Sequence, residues 1–367
     1  MGRHEMNGDY CGDGQARDSG WRRVTHRPST AWAQTTFSVI VMLLSLAAPV
    51  AAGSLQDGTD AYLRRDFANA LRLLRPLADQ GNASAQYNLG TMYSWGRGVP
   101  QDYAEAVKWY RFAADQGDSR AQYNLGAMYN DGLGVPQNYA EAAKLVRLAA
   151  GQGHANGQYS LGGMYSEGRG VPQDYAEAAK WYRLAANQGD GGAQANLGVM
   201  HSEGRGVPQD YAEAVKWLRL AADKGNANGQ YSLGIVYSEG HGVPQNFAEA
   251  VKWYRLAADQ GNANAQQNLG LSYTGGHGVP QNYAEAVKWF RLAADQGNAT
   301  AQRNLGVLYD MGEGVPQDFV LAHMWFNLSA AQGKQGAVSR DRIAARMTPA
   351  QIAEAQKLAR EWQAKRP

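Results

Sequence analysis

The sequence predicts an all-α protein, a solenoid built from 36-residue helix-turn-helix repeats. The pair Leu-Gly recurs every 36 residues, and the sequence around it is nearly the same each time. A period of this length is typical of stacked helical units, each of which buries its apolar face only against its neighbours. The seven pairs begin at Leu89, Leu125, Leu161, Leu197, Leu233, Leu269 and Leu305.

The first helix of each unit, helix A, is indicated by an apolar stripe. In the first full unit Ala85, Leu89 and Tyr93 recur at i, i+4 and i+8, which places them on one helix face. Gly90 lies in this stripe, where the lack of a side chain lets another backbone approach closely. Residues 96–100 then end the helix, because glycine supplies a left-handed cap and proline cannot continue the hydrogen-bond ladder.

The second helix, helix B, is predicted to begin after Asp102 and to end at Gly117. The carboxylate of Asp102 can accept from the free amides of the first turn, and Glu105 can reach back to the cap. Glu105, Lys108 and Arg111 lie three residues apart, which indicates a solvated stripe with weak ion pairs. The apolar positions share one face, and they are Ala106, Trp109, Tyr110, Ala113 and Ala114.

Four regions follow from the repeat. Residues 1–52 form a leader with a signal peptide, and residues 53–81 form an N-terminal capping half-repeat, with Leu73 in place of the tryptophan. Residues 82–333 hold seven full repeats. Residues 334–367 form C-terminal capping helices, whose last helix should cover the open end of the core.

The leader contains an apolar run, residues 37–52, that follows Arg22, Arg23 and Arg27. Its length and its small final residues predict a secretory signal peptide cleaved after Ala52, and therefore a periplasmic or secreted protein with no membrane insertion after signal removal. The alternative is an inner-membrane anchor through residues 37–52, although a span normally needs roughly 20 apolar residues.

Composition limits the chemistry and the partners of the chain. The formal net charge is only +2, and the repeats interleave acidic and basic residues, so we expect no nucleic-acid partner. The single cysteine, Cys11, lies in the leader, which leaves the mature chain without a disulfide or a thiolate metal site. We expect no cofactor and no metal. His241 and His277 occupy equivalent loops about 10 Å apart, too distant to share one ion.

Known catalytic signatures are not found in the sequence. It lacks H-E-x-x-H, G-x-S-x-G, a P-loop and a dinucleotide fingerprint. The recurring carboxylates, such as Asp102 and Glu105, stand in capping positions. The sequence therefore predicts that the protein is not an enzyme.

The repeated pattern closely resembles the Sel1-like repeats, relatives of the tetratricopeptide repeats. In the first full unit the matching residues are Ala85, Leu89, Gly90, Tyr93, Gly96, Gly98, Val99, Asp102, Ala106, Trp109, Ala113, Ala114 and Gly117. Departures are Leu145 for tryptophan, His201 for tyrosine, and Val320-Leu321 for the Ala-Glu pair. The resemblance implies a right-handed α/α superhelix that serves as an adaptor for protein complexes, often in the bacterial envelope. It implies no catalytic residues.

Positions that vary between units are the candidates for binding. By analogy with related repeats, helix A should line the concave face, and one of its positions is occupied by Tyr87, Tyr123, Tyr159, Ala195, Tyr231, Gln267 and Arg303. A row of tyrosines suits an extended protein segment, because it offers rigid contact area with polar tips. Equally, the tyrosines could simply fill the seam between units.

A second candidate surface is the loop between the helices. Its variable residues form a charged rim that could orient a partner, or could be ordinary solvated loop charge: Arg97, Leu133, Arg169, Arg205, His241, His277 and Glu313.

Two function hypotheses follow. The first is an exported scaffold or regulator that binds a segment of another envelope or periplasmic protein. The alternative is a cell-wall-related enzyme or glycan-binding protein.

Overall fold

The computed structural model describes residues 54–365. The signal-peptide prediction lies outside the described residues. Within them the chain is entirely helical in its regular structure and forms 18 helices, α1 to α18, separated by short turns. Every helix of the seven full units has 13 residues except the last, which has 12.

Odd-numbered and even-numbered helices alternate as helix A and helix B. The helices at the two ends are α1 (Ser54–Leu63), α2 (Phe67–Asp79), α17 (Lys334–Ala344) and α18 (Pro349–Ala364). Helices A of the full units are α3 (Ala83–Trp95), α5 (Ser119–Asp131), α7 (Ala155–Glu167), α9 (Gly191–Glu203), α11 (Ala227–Glu239), α13 (Ala263–Gly275) and α15 (Ala299–Met311). Helices B are α4 (Tyr103–Asp115), α6 (Tyr139–Gly151), α8 (Tyr175–Asn187), α10 (Tyr211–Asp223), α12 (Phe247–Asp259), α14 (Tyr283–Asp295) and α16 (Phe319–Ala330).

The helix ends confirm the capping chemistry read from the sequence. The Asp102 carboxylate accepts from the backbone N–H groups of Ala104 and Glu105, at 2.9 and 3.0 Å. Gly96 ends α3 in the left-handed region, with φ 63°. The expected return contact of Glu105 is absent among the described hydrogen bonds, and its carboxylate pairs instead with Lys108 at 3.3 Å.

The Leu-Gly pair serves close packing, although not of two backbones. A Cβ added to Gly90 would lie 2.6 Å from the ring of Tyr110, so the glycine makes room for an aromatic ring of helix B. Phe290 takes the same place beside Gly270. The glycine of the pair therefore lets helix B pack closely against helix A within each unit.

The core is a series of apolar clusters, one at each junction between units, as a one-dimensional stack requires. At the C-terminal end Ile343 and Ala359, from the two terminal helices, lie in the same apolar cluster as the core of the last unit. Thr348 and Gln351 form a capping box at the start of α18. Within residues 54–365, no helix combines the length and apolar composition that a membrane span needs.

Candidate functional site

The helix-A tyrosines lie in the seams between units with part of each ring accessible. The rings of Tyr87, Tyr159 and Tyr231 stand 6.0, 5.8 and 6.2 Å from the helix-B tyrosine of their own unit. Tyr123 instead lies 4.9 Å from the ring of His154 at the start of the next unit. Tyr159 is the most accessible at 37 %. The side chains thus pack the seam on one side and present a surface on the other.

The last two members of this row are polar. Gln267 and Arg303 are both half-buried. Arg303 lines a cavity of about 250 Å³ beside Ser329 and Gly336, and its Nε has no hydrogen-bond partner among the described residues. The row therefore changes from aromatic to polar toward the C-terminus.

A cavity of about 380 Å³ opens between the helices A of neighbouring units. It brings together Tyr123 and Tyr159 from the predicted row with Arg169 from the predicted rim. The other residues that line it are Gly126, Ala127, Asn130, Asp131, Val146, Ser160, Gly163, Met164, Glu167, Tyr182 and Asn196.

Small side chains at three positions leave this space. Val146 stands where other units carry tyrosine, leucine or phenylalanine, and Ala127 and Gly163 stand where later units carry valine, isoleucine or leucine. A Cβ at Gly163 would meet only the hydroxyl of Tyr182, at 3.6 Å, so this glycine faces open space. Sequence reasoning did not find the cavity, because the three positions lie on three different helices.

One carboxylate in the cavity lacks a basic partner. Glu167 is paired with Arg169 at 2.6 Å. Asp131 accepts a hydrogen bond from the side-chain amide of Asn130 at 2.7 Å, but no lysine, arginine or histidine of the described residues forms an ion pair with it. The reason is local: Leu133 occupies the loop position that holds arginine in the next unit. The cavity lining therefore carries one unbalanced negative charge.

The floor of the cavity is a neutral hydroxyl. Burial raises the pKa of Tyr182 to about 12, with the nearby Tyr159 and Glu167 acting in the same direction. The phenol therefore remains protonated at neutral pH and can both donate and accept a hydrogen bond. Aromatic rings, a hydroxyl and a carboxylate without an ion-pair partner can together attract an organic cation.

The loop rim is built into the contacts between units. Arg97 donates to the hydroxyl of Tyr62 at 2.6 Å, and the ring of His241 stacks on Tyr211 at 4.6 Å. Three further rim members lie over the first aromatic residue of the preceding helix B in the same way: Arg169 over Tyr139, Arg205 over Tyr175 and His277 over Phe247. These side chains contact the preceding unit directly and so connect the two units. They are therefore more than solvated loop charge.

Arg111 also has a role that the sequence did not reveal. It was expected on a solvated stripe, but its guanidinium donates to the hydroxyl of Tyr129 in the next unit at 2.6 Å. Equivalent arginine-tyrosine bonds recur along the stack, including Arg147 with Tyr165 at 2.8 Å. The expectation of a merely solvated stripe is therefore wrong for the arginine.

Every helix A of the full units carries a buried glutamine, and the sequence analysis did not single it out. The Gln86 amide donates to the carbonyl of Ala78 in the preceding helix B at 3.1 Å, and its oxygen accepts from Gln116 at 2.7 Å. The same pair of contacts recurs along much of the stack. The repeated Ala-Gln dipeptide is the signal that could have revealed it, since a polar residue at a fixed place beside a core alanine needs a partner.

These features define a class of protein, an α/α solenoid of the tetratricopeptide-like type whose helix-A side carries a lined cavity. No group of residues within 54–365 is arranged to hold a metal ion.

The family model of the Sel1 repeat matches eight segments, and the chain belongs to the Sel1 repeat family. The segments are residues 51–82, 83–118, 119–154, 155–190, 192–226, 227–262, 263–298 and 299–334. The first covers the predicted capping half-repeat. Sel1 repeat proteins generally act as scaffolds for protein-protein interaction and are typically non-catalytic.

One solved structure agrees with this assignment, and a second is similar in sequence. A Sel1 repeat protein from Oxalobacter formigenes is 34 % identical, with a TM-score of 0.62, and the match covers 66 % of this chain and 97 % of that one. A protective antigen of uropathogenic Escherichia coli strains is 30 % identical over 88 % of this chain and 94 % of its own, with a TM-score of 0.36. None of the curated proteins compared with the chain matches it.

Proposed function

We propose that the protein is an exported scaffold that binds a segment of another protein along the helix-A side of the stack. The observation that carries the proposal is the cavity between α5, α7 and α9, where two tyrosines of the predicted row meet. A cavity of about 380 Å³ is large enough for a side chain of a bound segment, and rigid aromatic walls are typical of anchor pockets.

The charge of the cavity favours a basic anchor side chain on the bound segment. Asp131 has no basic partner within the described part of the chain, while Tyr123 and Tyr159 offer ring faces at which a cation is stabilised. A lysine or arginine of the bound segment would supply the missing positive charge. The half-buried Gln267 and Arg303 would contact the same segment further along the row.

The experiment is differential capture from a cell-envelope extract with the protein and with a Gly163→Leu variant. Leucine at this position already occurs as Leu271, and the space beside Gly163 is open, so the variant should fold and fill the cavity. We expect a protein that binds the wild type to be lost from Gly163→Leu and to bind at least tenfold more weakly to Asp131→Asn, which is about 1.4 kcal/mol.

One control variant and one multiple variant complete this experiment. Phe112→Ala removes an aromatic ring of comparable exposure, 46 %, from α4 outside the cavity, and it should leave binding unchanged. A fourfold change of Tyr87, Tyr123, Tyr159 and Tyr231 to alanine tests the whole row. Equal capture by all variants would contradict the proposal. Binding of a cell-wall saccharide to the wild type, with no captured protein, would favour the glycan-binding alternative.

Export rests on the apolar run of residues 37–52 and is tested separately. Expression in a bacterial host, fractionation and N-terminal sequencing should give a periplasmic or secreted chain that begins at Gly53. A chain that keeps residues 37–52 and sediments with the inner membrane would identify the run as an anchor.

A further inference from the structure

The outer side of the helices B carries an exposed apolar residue at the same place in six units. These residues are 46 to 48 % accessible: Phe112, Leu148, Leu184, Leu220, Leu256 and Leu292. Each lies three residues after the tryptophan position, so the two side chains share one helix face. We call the two positions together the outer stripe.

In the last unit the same two positions are covered. Trp325 and Leu328 are only 0 and 2 % accessible. Helices α17 and α18 pack over them, with Ile343 and Ala359 buried in the same cluster. At its C-terminal end the protein therefore covers these two positions of the outer stripe with its own helices α17 and α18.

Helix α18 shows how a helix sits on this surface. The ring of Trp362 meets that of Trp325 edge-to-face at 5.8 Å, and its Nε1 donates to the carboxylate of Asp295 at 3.4 Å. Trp325 belongs to α16 and Asp295 to α14, so α18 spans the outer groove between two neighbouring helices B. Its buried face is made of Ala355 and Ala359, small residues that allow close approach.

Two other outer grooves repeat the groups that hold α18. The groove between α12 and α14 has Trp289, Leu292 and Asp259, and the groove between α10 and α12 has Trp253, Leu256 and Asp223. All of these side chains are half-buried or exposed.

The arginine beside the tryptophan ring is also repeated. In the covered groove the guanidinium of Arg291 lies 5.0 Å from the Trp325 ring. In the adjoining groove Arg255 lies 5.9 Å from the Trp289 ring.

Nearer the N-terminus Asn187 and Gly151 fill the carboxylate position, and Leu145 replaces the tryptophan beside Asp115. The groove between α2 and α4 has Trp109, Phe112 and Asp79, but Asp79 is paired with Arg75 at 3.2 Å. Within the described residues, the two grooves are thus the uncovered ones in which a tryptophan and a leucine accompany a carboxylate without an ion-pair partner.

We propose that these two grooves are a second docking site, which takes an amphipathic helix of another protein with small residues and a tryptophan on its buried face. Such a helix would bury the exposed leucine and donate its indole N–H to Asp259 or Asp223, as Trp362 does to Asp295. A second copy of this chain is disfavoured as the occupant, because releasing its α18 would uncover Trp325 and Leu328.

The probe for this site is the protein's own α18 as a peptide. A labelled peptide of residues 346–367 is locked as a helix by a lactam between Lys357 and Glu361, which are exposed and four residues apart. The lactam is needed because a helix this short is marginal by itself in water. Fluorescence anisotropy is measured as the full-length protein is titrated into the peptide.

We expect saturable binding that becomes at least tenfold weaker with the double variant Leu256→Ser and Leu292→Ser. The double variant Asp223→Asn and Asp259→Asn should weaken binding about threefold, and a Trp362→Ala peptide should not bind. All four protein positions are exposed, so circular dichroism should be unchanged. Leu271→Ser is the matched control, because Leu271 is 42 % accessible but lies on helix A.

Two results would overturn the proposal. One is no saturable binding of the locked peptide. The other is equal binding to wild type and both double variants, which would show that the peptide merely displaces the chain's own α18 from α16. Gly163→Leu should leave peptide binding unchanged, so the outcome is independent of the helix-A cavity.

Discussion

At the residue scale, a buried glutamine joins each unit to its neighbours, and the units of Gln194 and Gln302 lack the full set of bonds. Gln188 donates both to the carbonyl of Gly153 and to the side-chain oxygen of Gln158, at 3.0 and 2.7 Å. At the equivalent place Lys224 donates only to the carbonyl of Gly189. The oxygen of Gln194 is consequently buried without a partner among the described residues.

Lys224→Gln should stabilise the protein. Glutamine at this place can make both bonds, as Gln188 does, so the variant should gain about 1 kcal/mol from satisfying the buried oxygen. The measurement is the midpoint of urea unfolding followed by circular dichroism. Gln188→Lys is the matched reverse change and should lower the midpoint by a similar amount. An unchanged urea midpoint in Lys224→Gln would contradict the stabilising role assigned to the glutamine hydrogen bonds.

Gly90→Ala should destabilise the protein, although alanine usually favours a helix. The added Cβ would lie 2.6 Å from the Tyr110 ring, and overpacking of this kind costs about 1–3 kcal/mol. Gly151→Ala is the control, because nothing lies within 4 Å of its added Cβ at the end of α6. Thermal unfolding should show a lower midpoint for Gly90→Ala alone, and equal midpoints would refute the packing argument.

At the element scale, α7 differs from the other helices A of the full units in its N-cap. The Nδ1 atom of His154 accepts from the backbone N–H of Gly157 at 3.1 Å, where the other units use aspartate or asparagine. Burial lowers the pKa of His154, and the charge of Arg120 acts in the same direction. Only the neutral imidazole can accept this bond, since both ring nitrogens donate once it is protonated.

The stability of the protein should therefore fall on acidification. With the folded-state pKa lowered, the unfolded chain binds more protons, so the contribution of His154 is full above its ordinary pKa near 6.5 and is lost as pH falls through the lowered value. His154→Asn keeps the cap without the titration. The urea midpoint should drop less between pH 7.5 and 5.5 in this variant than in wild type.

A remaining pH dependence is expected in His154→Asn, because burial also lowers the pKa of His323 in α16. The same drop in both proteins would show that the cap of α7 does not titrate.

At the scale of the whole molecule, the unit of residues 190–225 should be less stable than the unit of residues 118–153, which has no buried side-chain polar atom without a partner among the described residues. The unit of residues 190–225 holds three buried polar atoms without partners within the described residues, the oxygen of Gln194, Nδ1 of His201 and Nε1 of Trp217. His201 also replaces the tyrosine that accepts from arginine in other units, and its ring lies beside Arg183 at 3.1 Å. In a stack of nearest-neighbour contacts such a defect weakens the molecule locally.

Hydrogen exchange followed by mass spectrometry should locate this weak unit. Amides of α9 and α10 should exchange about tenfold faster than those of α5 and α6, because an unsatisfied buried polar group costs about 1–3 kcal/mol. Lys224→Gln should reduce the difference. Equal protection in both units would contradict the prediction.

The sequence by itself determined the period, the helix pairs, the caps and the family. These follow from short-range backbone chemistry: Asp102 caps a helix and Gly96 ends one wherever the unit stands in the stack. The repeat then extends each local signal along the chain, so errors at single positions, such as the role of Glu105, did not alter the fold.

Only the tertiary structure decided the surfaces. The cavity exists because Val146 and Gly163, on different helices, are small at the same place. The hydrogen bonds of the buried glutamines and the outer grooves likewise depend on how one unit packs against the next. Sequence spacing fixes which face a residue occupies within its helix, whereas contacts across a seam depend on the packing of whole helices.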